Sequence, residues 1–354
     1  MAINLASKYS DKIMTKFRSE AYTLGAASTD YDFAGVRSIS IYMPKTVELT
    51  DYTRSGMARF GAVTEMEDEV QEMTMSQDKA FAISIDRGNN EDQLNIKKAG
   101  KMMNLQISEK VTPAIDKYNL AKWGKGAGKV VVLAAAMSKS NIVGYIADAM
   151  TALDNAEVPV QGRTLWVGAT AYNLIRLSDE FSKVENIYGK AIEKGTMGTI
   201  FDATVKRVPD SYLPSEMAFM VTYKDSILAP VKIKTARILT EVAGLDGSLL
   251  EGRNYFDAFV KGAKIDGIYV ALKNGTSATV AAPTITAAGA ISASSGKKFK
   301  YTVDGSDPRW SKTAVLAASK AATASTVTEK IRAVVIDDSL GYMSAIASSD
   351  VTGA

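Results

Sequence analysis

The sequence predicts an α+β chain that ends in a small, separate all-β unit. Three observations carry that reading. Apolar residues recur every three or four positions in some stretches and every second position in others, so helices and strands are interleaved. A long excursion, Ser38 to Arg87, has two alternating limbs and a polar tip before any core has been built. From residue 275 onwards the composition shifts to Ala, Ser and Thr, with few aromatics.

The chain has 354 residues, enough for two or three domains with a substantial core. It contains no cysteine and no histidine. Disulfides and thiolate metal sites are therefore excluded, and the usual neutral-pH acid/base and commonest zinc ligand are missing. This argues against an enzyme. The net charge of +3 is too mild for a dedicated nucleic-acid surface. The first residues, Met1 to Lys8, lack the apolar core of a secretory leader, and no apolar run is long enough to span a membrane.

Residues 1 to 35 are polar and mixed, with scattered aromatics (Tyr9, Phe17, Tyr22, Tyr31, Phe33), and read as an arm whose aromatics need a partner surface. The limbs of the excursion, Ser38 to Met43 and Lys79 to Asp86, both alternate polar and apolar, the pattern of strands with one apolar face. Thr50 to Val63 joins them as a polar tip carrying Arg54 and Arg59. The return limb begins acidic, with Glu65, Glu67, Asp68, Glu69 and Glu72. An isolated hairpin of this length is marginal in water, so a second subunit is expected to cover it. The charges read equally as a solvated face or as complementary charge, with Arg54 and Arg59 facing the acidic residues of a neighbour.

Residues 91 to 123 read as a long helix with the stripe Met103, Ile107, Val111, Ile115 and Tyr118, bent or broken near Thr112 by Pro113. Met102 and Met103 read as core filler. Trp123 to Lys129 is glycine-rich but lacks the spacing of a phosphate loop, and reads as a flexible connector. A second helix is expected over 138 to 154, capped by Ser138 or Ser140, with Ile142, Ile146, Met150 and Leu153 inward. Strands are expected at Gly162 to Gly168, Thr204 to Pro209, Met217 to Thr222, Ser226 to Leu239, Gly252 to Val260 and Gly267 to Leu272. A short helix capped by Thr170 should carry Leu174, Leu177 and Phe181. In the last unit, Phe299, Tyr301 and Val303 alternate, as do Ile331, Ala333 and Val335, and Asp304-Gly305-Ser306-Asp307-Pro308 is a turn. Its linker is placed near Lys273 to Thr279. No residue set supports nucleophilic catalysis; Asp304 with Asp307 and the neighbouring Asp337-Asp338 have the chemistry of calcium ligands, but a turn suffices to explain the first pair.

Several segments carry a resemblance: Val36 to Asp51 running into Asp51-Tyr52-Thr53-Arg54-Ser55-Gly56, Val70 to Lys79, Ile83 to Asn90, Val205 to Pro209 and Glu251 to Asp257. With the order arm, hairpin, long helix, α/β body and returning strands, residues 1 to 273 resemble the major capsid proteins of tailed bacteriophages, the Hong Kong 97-type fold. The segment Phe299 to Ser311 resembles the strand and turn of the immunoglobulin-like modules found at the C-termini of chitobiases, which also occur on phage capsids.

That resemblance implies an N-terminal arm at 1–35, an extended loop (β-hairpin) at 36–90, and a spine helix of the peripheral domain at 91–123. It further implies an axial domain at 124–225, return strands of the peripheral domain at 226–273, and an immunoglobulin-like β-sandwich at 274–354. The implied function is structural and non-catalytic. Pentamers and hexamers form an icosahedral virion shell that encloses double-stranded DNA without reading its sequence, assembled in the host cytoplasm with scaffolding and portal proteins and without membrane or cofactor. An N-terminal scaffolding segment is expected to be separate or already removed. The tip has no lysine, which argues against covalent cross-linking through it. Arg54, Arg59, Glu65, Glu67, Glu69 and Glu72 are the expected subunit-interface residues. Tyr301 and Trp310 are candidate surface ligand contacts, alternatively aromatics of the sandwich itself. The shell is expected to form without residues 275 to 354. The alternatives are an encapsulin-like compartment shell or, from a different class, a carbohydrate-active enzyme or binding protein.

Overall fold

The computed structural model describes residues 21–351, apart from 24, 32, 34, 35, 48, 58, 62, 64, 93–96, 179–197, 279–280, 294–296 and 323–327. The arm aromatics Tyr9 and Phe17, and Phe181 of the short helix, lie outside the described residues.

Strand β1 (Ser38–Pro44) pairs antiparallel with β2 (Asp68–Thr74), setting Ser40 opposite Glu72 and Ile41 opposite Gln71. This differs from the expected pairing of the two alternating limbs. The second limb, β3 (Gln77–Asp86), turns away after Met75 and Ser76 and joins another sheet. Alternation identifies a strand and its apolar face but says nothing of its partner. The true partner, Asp-Glu-Val-Gln-Glu-Met-Thr, is dominated by charge and resembles a solvated loop. Ile39, Ile41 and Met43 do point inward, and the hairpin base packs with Phe33, Met73, Met75 and Leu228.

A short helix α1 (Arg87–Asp92) follows, then α2 (Ala99–Gln106) and α3 (Thr112–Lys125), joined by a π-turn at Ile107–Val111. Pro113 therefore neither breaks nor ends the helix. Proline has no N–H to give to the carbonyl four residues back, and its ring crowds that carbonyl. The turn before it widens instead, and the Thr112 N–H bonds to the Ile107 carbonyl, five residues back.

The connector at 124–128 is not loose. Gly124 lies within α3, buried, where a Cβ would come 2.5 Å from Met217 Cε. The Gly128 N–H donates to the Ile265 carbonyl at 3.1 Å. These glycines permit close packing.

The body is a six-stranded mixed sheet. Its strands are β4 (Lys129–Val132), β5 (Arg163–Gly168), β6 (Thr199–Ile200), β7 (Ala203–Val208) and β8 (Met217–Tyr223), with a last strand described below. Helix α4 (Ile142–Asn155) and helix α5 (Ala169–Arg176) lie on one face. Neither expected serine caps α4. Asn141 precedes it, its Oδ1 accepting from Ser138 N–H at 2.8 Å, while the Ser138 carbonyl accepts from Ile142 N–H. Helix α5 likewise borrows its cap. Asp210 accepts from Thr170 N–H (3.1 Å) and Thr170 Oγ1 (2.6 Å), so Thr170 donates and does not cap. Its inward residues are Ala171, Tyr172 and Ile175, with Leu177 outside.

Three more strands follow: β9 (Ile227–Leu228), β10 (Val231–Val242) and β11 (Leu245–Phe256). β11 is central in the sheet β10-β11-β3, which packs Phe81, Ile83, Ile85 and Leu250 against Met103 and Ile107. β12 (Phe259–Val260) pairs with β9, and β13 (Ile268–Leu272) completes the body sheet in the order β4-β13-β8-β5-β7-β6.

Both faces of that sheet are covered, so β5, β8 and β13 are buried along almost their whole length and are mostly apolar. Leu165, Val167, Phe219 and Val221 face α4 and α5. Trp166, Met220 and Val270 face Leu120 and Trp123 of α3.

The last unit contains only strands among its described regular elements: β14 (Thr284–Ile285), β15 (Ile291–Ser292), β16 (Lys298–Thr302), β17 (Val315–Ala317), β18 (Glu329–Ile336) and β19 (Ala347–Val351). β17-β16-β18-β19 form an antiparallel sheet, β14 and β15 pair beside it, and Ile291, Phe299, Ile331 and Val335 fill the space between.

Candidate assembly surfaces

The hairpin projects a tip that is apolar and exposed. Leu49, Met57 and Val63 are each 99% exposed or more, and Phe60 85%. Four large apolar groups clustered in so short a segment and left in water are unusual for an isolated subunit, and mark a binding surface. The tip is nevertheless folded on itself. Thr53 N–H donates to the Arg59 carbonyl (3.0 Å), Thr50 Oγ1 to the Phe60 carbonyl (3.1 Å), and Tyr52 meets Phe60 edge to face at 5.1 Å. Gly56 and Gly61 have positive φ, a conformation that costs glycine little. The surface is therefore presented preformed.

The charged residues of the arm divide into two groups. Lys45 of the same hairpin stands 3.5 Å from both Glu67 and Glu69, and Glu72 pairs at 2.9 Å with Lys312 of the last unit. Arg59 Nε donates to the Gly56 carbonyl, inside the tip. Arg54 and Glu65 make no ion pair among the described residues. Three of the four expected acidic interface residues thus already have partners in their own chain. A scattered lysine outside the acidic run offered no sequence signal for those pairs.

At the base of the arm, Asp257 gathers three segments. It accepts from Ser76 N–H (2.7 Å), Ser76 Oγ (2.9 Å), Tyr118 Oη (2.7 Å) and Ala258 N–H (2.8 Å). Burial, reinforced by the Asp257 carboxylate, pushes the Tyr118 phenol up to about 12. The N-terminal segment is clamped in the same manner. Asp116 of α3 accepts from Tyr22 N–H, Thr23 N–H and Thr23 Oγ1, and Lys206 donates to the Tyr22 carbonyl at 3.0 Å. Burial pulls the Lys206 ammonium down, partly offset by Asp116. Lys261 joins Asp30 (2.5 Å) and Asp225 (2.7 Å). Burial alone would lower it, but the two carboxylates outweigh burial and raise it; Asp30 is held well below the usual carboxylate range by the hydrogen bond from Lys261.

The last unit is joined to the body over a continuous seam. Tyr342 is fully buried among body residues that include Trp123 and Trp166, and donates to Glu216 at 3.1 Å. Arg309 reaches the Gly128 carbonyl (3.2 Å) and Asp266 (3.0 Å) while paired with Asp307. The linker is also held: Lys273 N–H donates to the Glu216 carbonyl, and Asn274 Nδ2 to the carbonyls of Leu133 and Ala134. Trp310, read as a surface contact, lies over Gly262 of the body, where a Cβ would sit 2.5 Å from the indole. Its buried indole N–H has no partner. Tyr301 is half-buried beside Phe299 and Lys320. Asp304 is engaged as a turn residue, accepting from Ser306 N–H, Ser306 Oγ and Thr313 Oγ1. Among the described residues, no group of three or more carboxylates stands close enough to hold a metal, and no helix is long and apolar enough to cross a membrane.

No family model matches the chain, and no curated protein matches it. Solved structures do. A chain from the capsid of cyanophage P-SCSP1u aligns with a TM-score of 0.63 at 9% identity, covering 76% of this chain and 93% of its own. One from the mature capsid of bacteriophage PhiM1 aligns at 0.62 and 9% identity, covering 77% and 92%. One from the head of Helicobacter pylori bacteriophage KHP40 aligns at 0.57 and 13% identity, covering 76% and 95%. At such identities the likeness is one of fold, and it extends over nearly the whole of each phage chain.

Proposed function

We propose that this chain is the subunit of a phage capsid, a major capsid protein of the Hong Kong 97 type that closes an icosahedral shell around double-stranded DNA. The observation that carries the reading is the fold shared with phage capsid and head chains over 92–95% of their length. The preformed apolar tip supports it, because an arm of this kind needs a neighbouring copy to cover it. On this reading residues 1–35 are the N-terminal arm, 36–90 the extended loop and 91–123 the spine helix. Residues 124–225 form most of the axial domain, whose sheet β13 (Ile268–Leu272) completes; β10 and β11 are the return strands of the peripheral domain, and 274–354 an immunoglobulin-like module.

The mechanism is mechanical. Pentamers and hexamers form through the axial domain, and each extended loop lies across an adjacent subunit. Many modest contacts then add up to a durable shell. Leu49, Met57, Phe60 and Val63 supply most of the loop's grip, with Arg54, Arg59 and Glu65 giving register. Glu67, Glu69 and Glu72 serve mainly within the chain. Scaffolding and portal proteins are the expected further partners, and the virion is the destination. Negative-stain microscopy of the expressed chain, with its scaffold where needed, is expected to show capsomers or shells. A particle that stays monomeric under every condition overturns the proposal.

A further inference from the structure

Strand β2 is pinned to the body at one residue and touched by the last unit at the next. Gln71 Nε2 donates to the Val260 carbonyl (2.9 Å), and Gly262 N–H donates to Gln71 Oε1 (2.7 Å), so both ends of one side-chain amide are fixed. Glu72 pairs with Lys312 at 2.9 Å. Two residues before Lys312, Trp310 lies on Gly262, the same residue that bonds to Gln71. One residue earlier, the buried Arg309 is tied to Asp266 and Gly128. The body loop 260–266, the turn 307–312 and β2 thus form one continuous stack.

We propose that the C-terminal domain is an intramolecular brace for the arm: its turn, through Trp310 and Lys312, sets the angle at which the hairpin leaves the body. The two contacts differ in kind. The ion pair is exposed and contributes little energy, but it is directional. The indole packs directly on Gly262 and so holds the loop to which Gln71 is hydrogen-bonded. Glycine at 262 is what lets the indole approach so closely. The brace is a property of the single chain and holds whether or not that chain builds a shell.

The chain has no cysteine, so a label pair is introduced cleanly with Asp68→Cys at the far end of β2 and Thr151→Cys on α4. Spin-labelled full-length chain, diluted into unlabelled chain, is read by double electron–electron resonance. A single narrow distance peak is expected. Trp310→Ala should abolish it at unchanged secondary structure, and Lys312→Glu should broaden it. The exchanged pair Lys312→Glu with Glu72→Lys should restore it, which tests the brace even if Trp310→Ala does not fold. A peak that stays narrow in both single variants, or that the exchanged pair leaves as broad as Lys312→Glu alone, overturns the proposal.

Discussion

Tyr118 and Asp257, 139 residues apart in sequence, are joined by a 2.7 Å hydrogen bond. The same carboxylate holds Ser76, at the point where the chain leaves the hairpin and turns into β3. One side chain therefore ties the long helix, the root of the arm and the end of β11. Its four hydrogen bonds satisfy donors that would otherwise be stranded in a partly buried joint.

Removing that carboxylate should loosen all three segments together. Asp257→Ala is expected to cost about 2–4 kcal/mol, because several donors lose their acceptor at once. Tyr118→Phe deletes a single bond and should cost about 1 kcal/mol. Urea unfolding of the two variants checks the ratio. Equal losses would mean that the Ser76 bonds contribute nothing.

Stability should fall in alkali. Burial pushes both Tyr118 and Tyr269 up to about 12 from an ordinary 10.0, with Asp257 adding to the first and Asp148 to the second. The folded state thus favours the neutral phenol. The stabilisation is complete below about pH 10 and is lost as pH rises from there through about 12. Denaturation midpoints measured across that window are expected to decline, and the decline should be shallower in Tyr118→Phe and Tyr269→Phe.

Features that depend on local pattern were legible in the sequence. The inward faces of β1 and β3, the stripe of α4 and the all-β end of the chain follow from periodicity and turn residues. What was not legible depends on distant residues. β2 hides its pairing beneath acidic side chains. Asp210 caps a helix forty positions away, and no spacing rule reveals that. Tyr342 sits in Asp-Asp-Ser-Leu-Gly-Tyr, whose spacing carries no helix or strand period, and it plugs another unit's core. The exposed apolar character of the tip was not legible. Charge drew attention to Arg54, Arg59 and the acidic run, whereas the apolar residues of the tip are too widely spaced in sequence to look like a patch.

The borrowed cap is open to a direct check. Asp210→Ala leaves the Thr170 N–H and hydroxyl at the start of α5 without their acceptor and should cost about 1 kcal/mol, the usual loss for a removed cap. Asp210→Asn keeps an acceptor and should recover most of it. Thermal melts of the pair read the difference, and identical melting of both variants and the parent would show that the contact carries no stability.

The tip separates folding from assembly. Leu49, Met57 and Val63 are exposed in the single chain. Their joint replacement by serine should shift folding stability by no more than about 0.5 kcal/mol, as for surface substitutions generally. On the proposed capsid reading assembly should nevertheless be lost, because a covering subunit would forfeit the apolar area of the tip. Light scattering under assembly conditions, with a melt of the same sample, checks both halves. Shells that form normally would move the interface elsewhere.

The seam between the last unit and the body revises the expectation that shells form without residues 275 to 354. Tyr342 is fully buried in the core cluster that contains Trp123 and Trp166, so deleting the unit opens the body core to water. Tyr342→Ala should cost about 3–5 kcal/mol, the range for emptying a buried aromatic site. Tyr342→Phe keeps the ring, loses only the bond to Glu216, and should cost about 1 kcal/mol. The truncated chain, losing the ring and the Arg309 contacts together, is then expected to be insoluble or unfolded before assembly can be asked of it. Soluble expression and a cooperative melt of residues 1–274 would show that the body closes without its plug; an aggregated product, rescued by supplying residues 275–354 as a separate chain, would place Tyr342 among the residues that complete the body's own core.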